Sequence, residues 1–120
     1  MDRQQAQGEG RPAARKFREF NPAEVVEAKV HFDFFHDELS TLPNARAYII
    51  FYRGKRRTSW QDHRYAKNYM DNRGGIPPER IKAIFGGYRA DTAMELWIVP
   101  EGAELPKPTP TYFPKRRRKL

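Results

Sequence analysis

The sequence predicts a single α+β domain in the order strand, helix, strand, helix, strand, strand. Three segments carry that expectation. Val25, Ala28, Phe32, Phe35, Leu39 and Leu42 recur at steps of three and four, which is one face of a helix. Residues 45–53, Ala-Arg-Ala-Tyr-Ile-Ile-Phe-Tyr-Arg, are apolar on both faces and rich in strand formers, as an interior strand requires. Residues 93–99 alternate, with Met94, Leu96 and Ile98 on one side and Glu95, Trp97 and Val99 on the other.

The remaining elements fit around these three. Residues 1–15 are rich in Gln, Gly, Arg and Ala and read as a disordered arm. Phe17 and Phe20 mark a short first strand over residues 16–20. Asn21-Pro22-Ala23-Glu24 looks like a helix start: Asn21 as the cap, Pro22 at the first helical position, Glu24 closing a capping box. Val26, Val30 and Phe34 are expected to widen the apolar stripe of that helix. A competing strand reading, in which Val30, Phe32 and Phe34 alternate with polar residues, loses to the longer periodicity and the stop at Pro43.

After the interior strand, Thr58 and Ser59 offer caps for a second helix, with Asp62 in its favourable first turn. His63, Ala66, Tyr69 and Met70 form its inner face, and Gly74-Gly75 ends it. Ile81, Ala83 and Phe85 alternate in a third strand that Gly86-Gly87 should break, and residues 88–92 turn into the last strand. Residues 101–120 are Pro-rich and then basic, and read as an extended tether. Phe32, Phe35 and Leu39 are expected to pack on Ile49, Phe51, Leu96 and Ile98.

Composition narrows the functional classes. Twenty-three Lys and Arg against 15 Asp and Glu give a net charge of +8, which favours polyanions such as nucleic acid, anionic lipid or an acidic protein. The absence of Cys removes disulfides, thiol catalysis and thiolate metal sites. No apolar run approaches the roughly 20 residues of a membrane span, and the N-terminus lacks the apolar stretch of a signal peptide, so the chain reads as soluble.

No catalytic or metal constellation stands out. His31 and His36 are five residues apart, which puts them on different faces of a helix, and His63 has only Asp62 as an acidic neighbour. Ser40 and Ser59 sit in no nucleophile elbow, and neither glycine pair has phosphate-loop spacing. No enzyme activity, metal or cofactor is expected. The basic loop is the stronger candidate: Arg53, Lys55, Arg56 and Arg57, with Arg64 one turn into the helix, form a candidate anion site beside a helix N-terminus. Lys115, Arg116, Arg117, Arg118 and Lys119 add a nonspecific polyanion-binding cluster. Tyr48, Tyr52 and Trp97 are candidate open-face aromatics for stacking bases, if the helices cover only one face of the sheet.

Arg64-Tyr65-Ala66-Lys67-Asn68-Tyr69-Met70 followed by Gly75-Ile76-Pro77-Pro78-Glu79-Arg80-Ile81 resembles the OmpA-like domain of bacterial cell-envelope proteins, and the resemblance extends over residues 17–100. Ala47-Tyr48-Ile49-Ile50, Gly86-Gly87-Tyr88-Arg89 and Glu95-Leu96-Trp97-Ile98-Val99-Pro100 look like a divergent branch of the same family. The resemblance implies a two-layer domain, a mixed four-stranded sheet ordered 1-4-2-3, both helices on one face, and a binding role at the cell envelope once a signal peptide has been removed. Typical members hold the diaminopimelate unit of peptidoglycan with an Asp just after the second strand and an Arg in the first turns of the second helix. Here Arg53-Gly54-Lys55-Arg56-Arg57 follows the strand and Asp62 takes the place of the Arg. The acid is lost and the base reversed, so the usual peptidoglycan site is expected to be degenerate. Two functions follow: a non-catalytic interaction module with a protein or cell-wall partner, or a small nucleic-acid-binding protein using the 53–57 loop and the tail.

Overall fold

A computed structural model describes residues 12–55 and 61–114. Four strands form one mixed sheet: β1 (Arg15–Phe20), β2 (Arg46–Arg53), β3 (Ile81–Tyr88) and β4 (Ala93–Val99). Their spatial order is β1-β4-β2-β3, with β2 parallel to β3 and antiparallel to β4, and β4 antiparallel to β1. Helices α1 (Val25–Ser40) and α2 (His63–Arg73) complete the α+β domain, and Pro78–Arg80 make a single 3-10 turn before β3.

Both helices pack on one face of the sheet. Ala28, Phe32, Phe35 and Leu39 of α1 and Ala66 and Met70 of α2 share a core with Ala47, Ile49, Phe51, Ile81, Met94, Leu96 and Ile98. The expected packing of α1 on β2 and β4 is therefore found. Phe17 and Phe20 reach the same core although they are three residues apart. A bulge between Lys16 and Arg18 shifts the register there, which lets Phe17, Arg18 and Phe20 all face α1.

Three local expectations are corrected. Helix α1 begins at Val25 with Glu24 as its cap residue, and no side chain caps it. Asn21 instead accepts from the Ala23 N–H at 2.9 Å, closing an Asx turn that uses its carboxamide before the helix starts. Val26, Val30 and Phe34 do not widen the buried stripe. At about 100° per residue they lie opposite Ala28, Phe32 and Phe35, and Val26 and Phe34 are 75% and 49% exposed. The glycine pair in β3 does not break the strand. Phe51 pairs with Phe85 and Tyr52 with Gly87, so Gly86 is the extra residue of a bulge and β3 runs on to Tyr88.

Helix α2 is capped by Asp62, whose side chain accepts from the Arg64 and Tyr65 N–H groups. Thr58 and Ser59, the expected caps, lie outside the described residues. Gly74 and Gly75, at φ 76° and 84°, end the helix as expected. His36 Nε2 donates to Gly74 O at 2.7 Å and Tyr69 OH to Asp33 at 2.9 Å, tying α2 to α1. Arg80 binds the far end of α1: its guanidinium donates to Leu39 O, Leu42 O and Ala45 O at 3.4, 2.9 and 2.7 Å. A cation placed there satisfies carbonyls that the helix end leaves open.

The second face of the sheet is also covered. The segment after β4 crosses it as a strap, so the described part of residues 101–120 is not a free tether. Ala103 is buried with Tyr48, Ile50, Tyr52, Ala93 and Val99, and the Thr111 and Tyr112 N–H groups donate to Tyr88 O at 2.9 and 3.1 Å.

Replacing Phe35, fully buried between α1 and the sheet, by Ala should lower stability by roughly 3–5 kcal/mol through lost burial and an unfilled cavity. The chemical-denaturation midpoint measures this; an unchanged midpoint would contradict the packing of α1.

Candidate functional site

The residues singled out from sequence fall into two places. The basic loop leaves β2 at Arg53, and its first part is pinned to the β3–β4 turn. Gly54 N–H donates to Thr92 Oγ1 at 2.9 Å and Lys55 N–H to Ala90 O at 3.1 Å. A Cβ on Gly54 would stand 2.3 Å from the Thr92 nitrogen, so only glycine fits against that turn. The Arg53 guanidinium lies 5.3 Å from the Phe51 ring and the Lys55 ammonium 4.7 Å from the Tyr112 ring, both as cation–π contacts. Arg56, Arg57 and Lys115 to Lys119 lie outside the described residues.

Arg64 does not present an open cation to an anion at the α2 N-terminus. It donates to Asp62 Oδ2 at 2.6 and 3.2 Å while Asp62 Oδ1 accepts from the helix N–H groups. The Asp62 carboxylate, 7% exposed, thus occupies the place an external anion would take. Burial alone would raise its pKa, but the Arg64 side chain and the two N–H bonds outweigh that and hold it below the ordinary value. Beside it, His63 is held below its ordinary pKa, first by burial and then by Arg64 and Arg53, against an opposing pull from Asp62. It lies 6.3 Å from the Phe51 ring and 6.2 Å from Phe85.

Tyr48, Tyr52 and Trp97 do stand on the sheet face opposite the helices, but that face is not open. Tyr52 is fully buried and Tyr48 nearly so, because the strap lies over them. Burial also raises the Tyr48 pKa. Tyr52 and Trp97 converge on Glu95, which is 3% exposed. Glu95 accepts from Trp97 Nε1 at 2.9 Å, Tyr52 OH at 3.3 Å and Arg89 Nη2 at 2.9 Å, and Lys16 Nζ lies 3.5 Å away. Arg89 also donates to Glu19 at 3.1 Å, and its guanidinium lies 3.6 Å from the centre of the Tyr52 ring. Lys16 bonds Glu19 at 2.7 Å, which raises the lysine pKa and lowers that of Glu19.

Sequence reasoning placed Glu95 and Trp97 on one face but gave Glu95 no role, and it missed Arg89. A signal was present: an acid in a strand with otherwise apolar or aromatic neighbours needs a cation when buried, and Arg89 precedes it across a short turn. Among the described residues no three His, Asp or Glu side chains gather where a metal could be held.

Stability should fall as the solution is acidified. His31, stacked on Phe20 at 4.3 Å and accepting from Arg18, is held below its ordinary pKa of 6.5 by burial and by Arg18, as His63 is by burial. The unfolded chain therefore takes up these protons first. Their contribution is full above about pH 6.5 and is lost as pH falls through the lower folded values. Glu19 and Asp62 add losses in the same direction at lower pH. Thermal melts at pH 7, 6 and 5 should show a falling midpoint, and His31→Gln with His63→Gln should flatten that slope; an unaltered slope would contradict the assignment.

No family model, curated protein or solved structure matches this chain.

Proposed function

We propose that this chain is a non-catalytic binding module of OmpA-like type, acting at the bacterial cell envelope, in which the usual peptidoglycan site is degenerate. The observation that supports the reading is the sheet order β1-β4-β2-β3 with β2 and β3 parallel and both helices on one face. That is the arrangement the sequence resemblance implies. The charges at the junction of β2 and α2 support the second half. A diaminopimelate ammonium would meet Arg53 and Lys55 in place of an acid, and the Arg64 guanidinium that could receive its carboxylate is already bonded to Asp62.

Calorimetric titration of the full chain with a diaminopimelate-containing muropeptide should give no saturable heat, and fractionation of its native cell should find the chain with the envelope. Micromolar binding would overturn the degenerate site, and a cytoplasmic location would overturn the envelope role.

The net charge of +8 favours a second reading, nonspecific binding of nucleic acid. Burial of Tyr48 and Tyr52 under the strap leaves charge, not stacking, as its means. Single-stranded DNA should then bind with an affinity that drops by orders of magnitude between about 50 and 200 mM salt, with no preference among sequences. Salt-resistant, sequence-selective binding in a mobility-shift titration would raise nucleic acid to the first reading.

A further inference from the structure

We infer that the second sheet face is a recognition notch for a proline-rich extended segment carrying a Thr-Pro step, filled here by the chain's own strap and fitted to the same motif on a separate protein.

Thr109 is read completely. Its N–H donates to the Tyr52 hydroxyl at 3.0 Å, its carbonyl accepts from Arg89 Nε at 3.2 Å, and its Oγ1 accepts from Arg89 Nη2 at 2.6 Å. The reading groups are held in place by the sheet and not by the strap. Arg89 is fixed by Glu95 and Glu19, and the hydroxyl of Tyr52 is directed by Glu95. Such prior fixing lowers the ordering cost of binding.

The floor of the notch is shaped for proline. A Cβ at Gly86 would meet the Tyr52 ring at 2.8 Å and Ile50 at 2.4 Å, so its absence lets Tyr52 lie flat on β3. A Cβ at Gly87, which also has φ +116°, would stand 2.9 Å from the Pro110 ring. Pro110 thus sits where a side chain at 87 would be, directly after the residue that Arg89 and Tyr52 read.

The segment itself has the chemistry that such surfaces select. Pro106, Pro108 and Pro110 have no N–H to leave unsatisfied and keep the backbone extended at little entropic cost. Aromatic-lined sites that bind proline-rich peptides use this same pairing of ring contact and backbone hydrogen bonds. A tethered strap has an effective concentration on the order of millimolar, so it keeps a weak outside segment away until it is displaced. The notch is accordingly gated by its own ligand.

The test uses the whole chain with a protease-cleavable sequence inserted between the exposed Glu104 and Leu105, and a fluorescent peptide spanning residues 105–114. After cleavage the peptide should exchange for the strap and bind saturably, and a Thr109→Val peptide should bind about tenfold or more weakly. Uncut Thr109→Val chain should bind the wild-type peptide about tenfold or more tightly than uncut wild-type chain does, because its own strap is loosened. No saturable binding to cut chain that keeps its far-ultraviolet dichroism would overturn the inference, as would equal affinity for the two peptides. Loss of that dichroism on release of the strap would make the segment a structural part and overturn it too. A stable dimer of uncut chain formed by strap exchange would overturn the assignment to a separate protein.

Discussion

The constraint on which the rest depends is that β2 must be buried on both faces. Every residue from Ala47 to Tyr52 is buried, yet the two α-helices among the described residues both lie on one side. The side bearing Tyr48, Ile50 and Tyr52 needs another cover. Strap residues 103–112 provide it with hardly any secondary structure of their own, and a Pro-rich composition suits that task. Three prolines in five residues do not join a sheet ladder, so the strap lies over the side chains and is held at a few polar points.

The two covers differ in kind. Between the helices and the sheet the contacts are aromatic and aliphatic, with Phe32 and Phe35 fully buried. Beneath the strap the centre is a carboxylate, Glu95, surrounded by Arg89, Lys16, Tyr52 and Trp97. A buried acid is costly unless each of its oxygens is answered, and the cation that answers it here also holds Thr109. Cohesion of the second face and attachment of the strap therefore share one guanidinium.

Much of the fold was legible because burial leaves a period in the sequence. The i, i+3, i+4 run from Ala28 to Leu39 and the alternation from Met94 to Ile98 name their inward residues correctly. Three features left no period. Val26, Val30 and Phe34 look like core by composition, and only their angle around α1 places them on the outer side. Gly86 and Gly87 read as a break because sequence alone does not show Tyr52 lying on one and Pro110 on the other. Asp62 looks like a first-turn acid and is the cap itself. At the candidate site, the basic residues were visible but their internal partners were not. The Asp62 carboxylate holding Arg64 and the Tyr112 ring beside Lys55 are three-dimensional facts. The strap was hidden for the same reason, since its prolines signal an extended backbone without indicating what it lies on.

The strap runs along the strands from the Val99 end of β4 to the Tyr88 end of β3, and the way it is held has a mechanical consequence. A load applied at Pro114 meets the contacts of Tyr112 and Thr109 before it reaches any hydrogen bond between strands. Among the described residues those contacts are few: Thr109 with Tyr52 and Arg89, and the Thr111 and Tyr112 N–H groups with Tyr88 O. Arg89 and Tyr52 would act as a fuse, loaded before the hydrogen bonds between strands are.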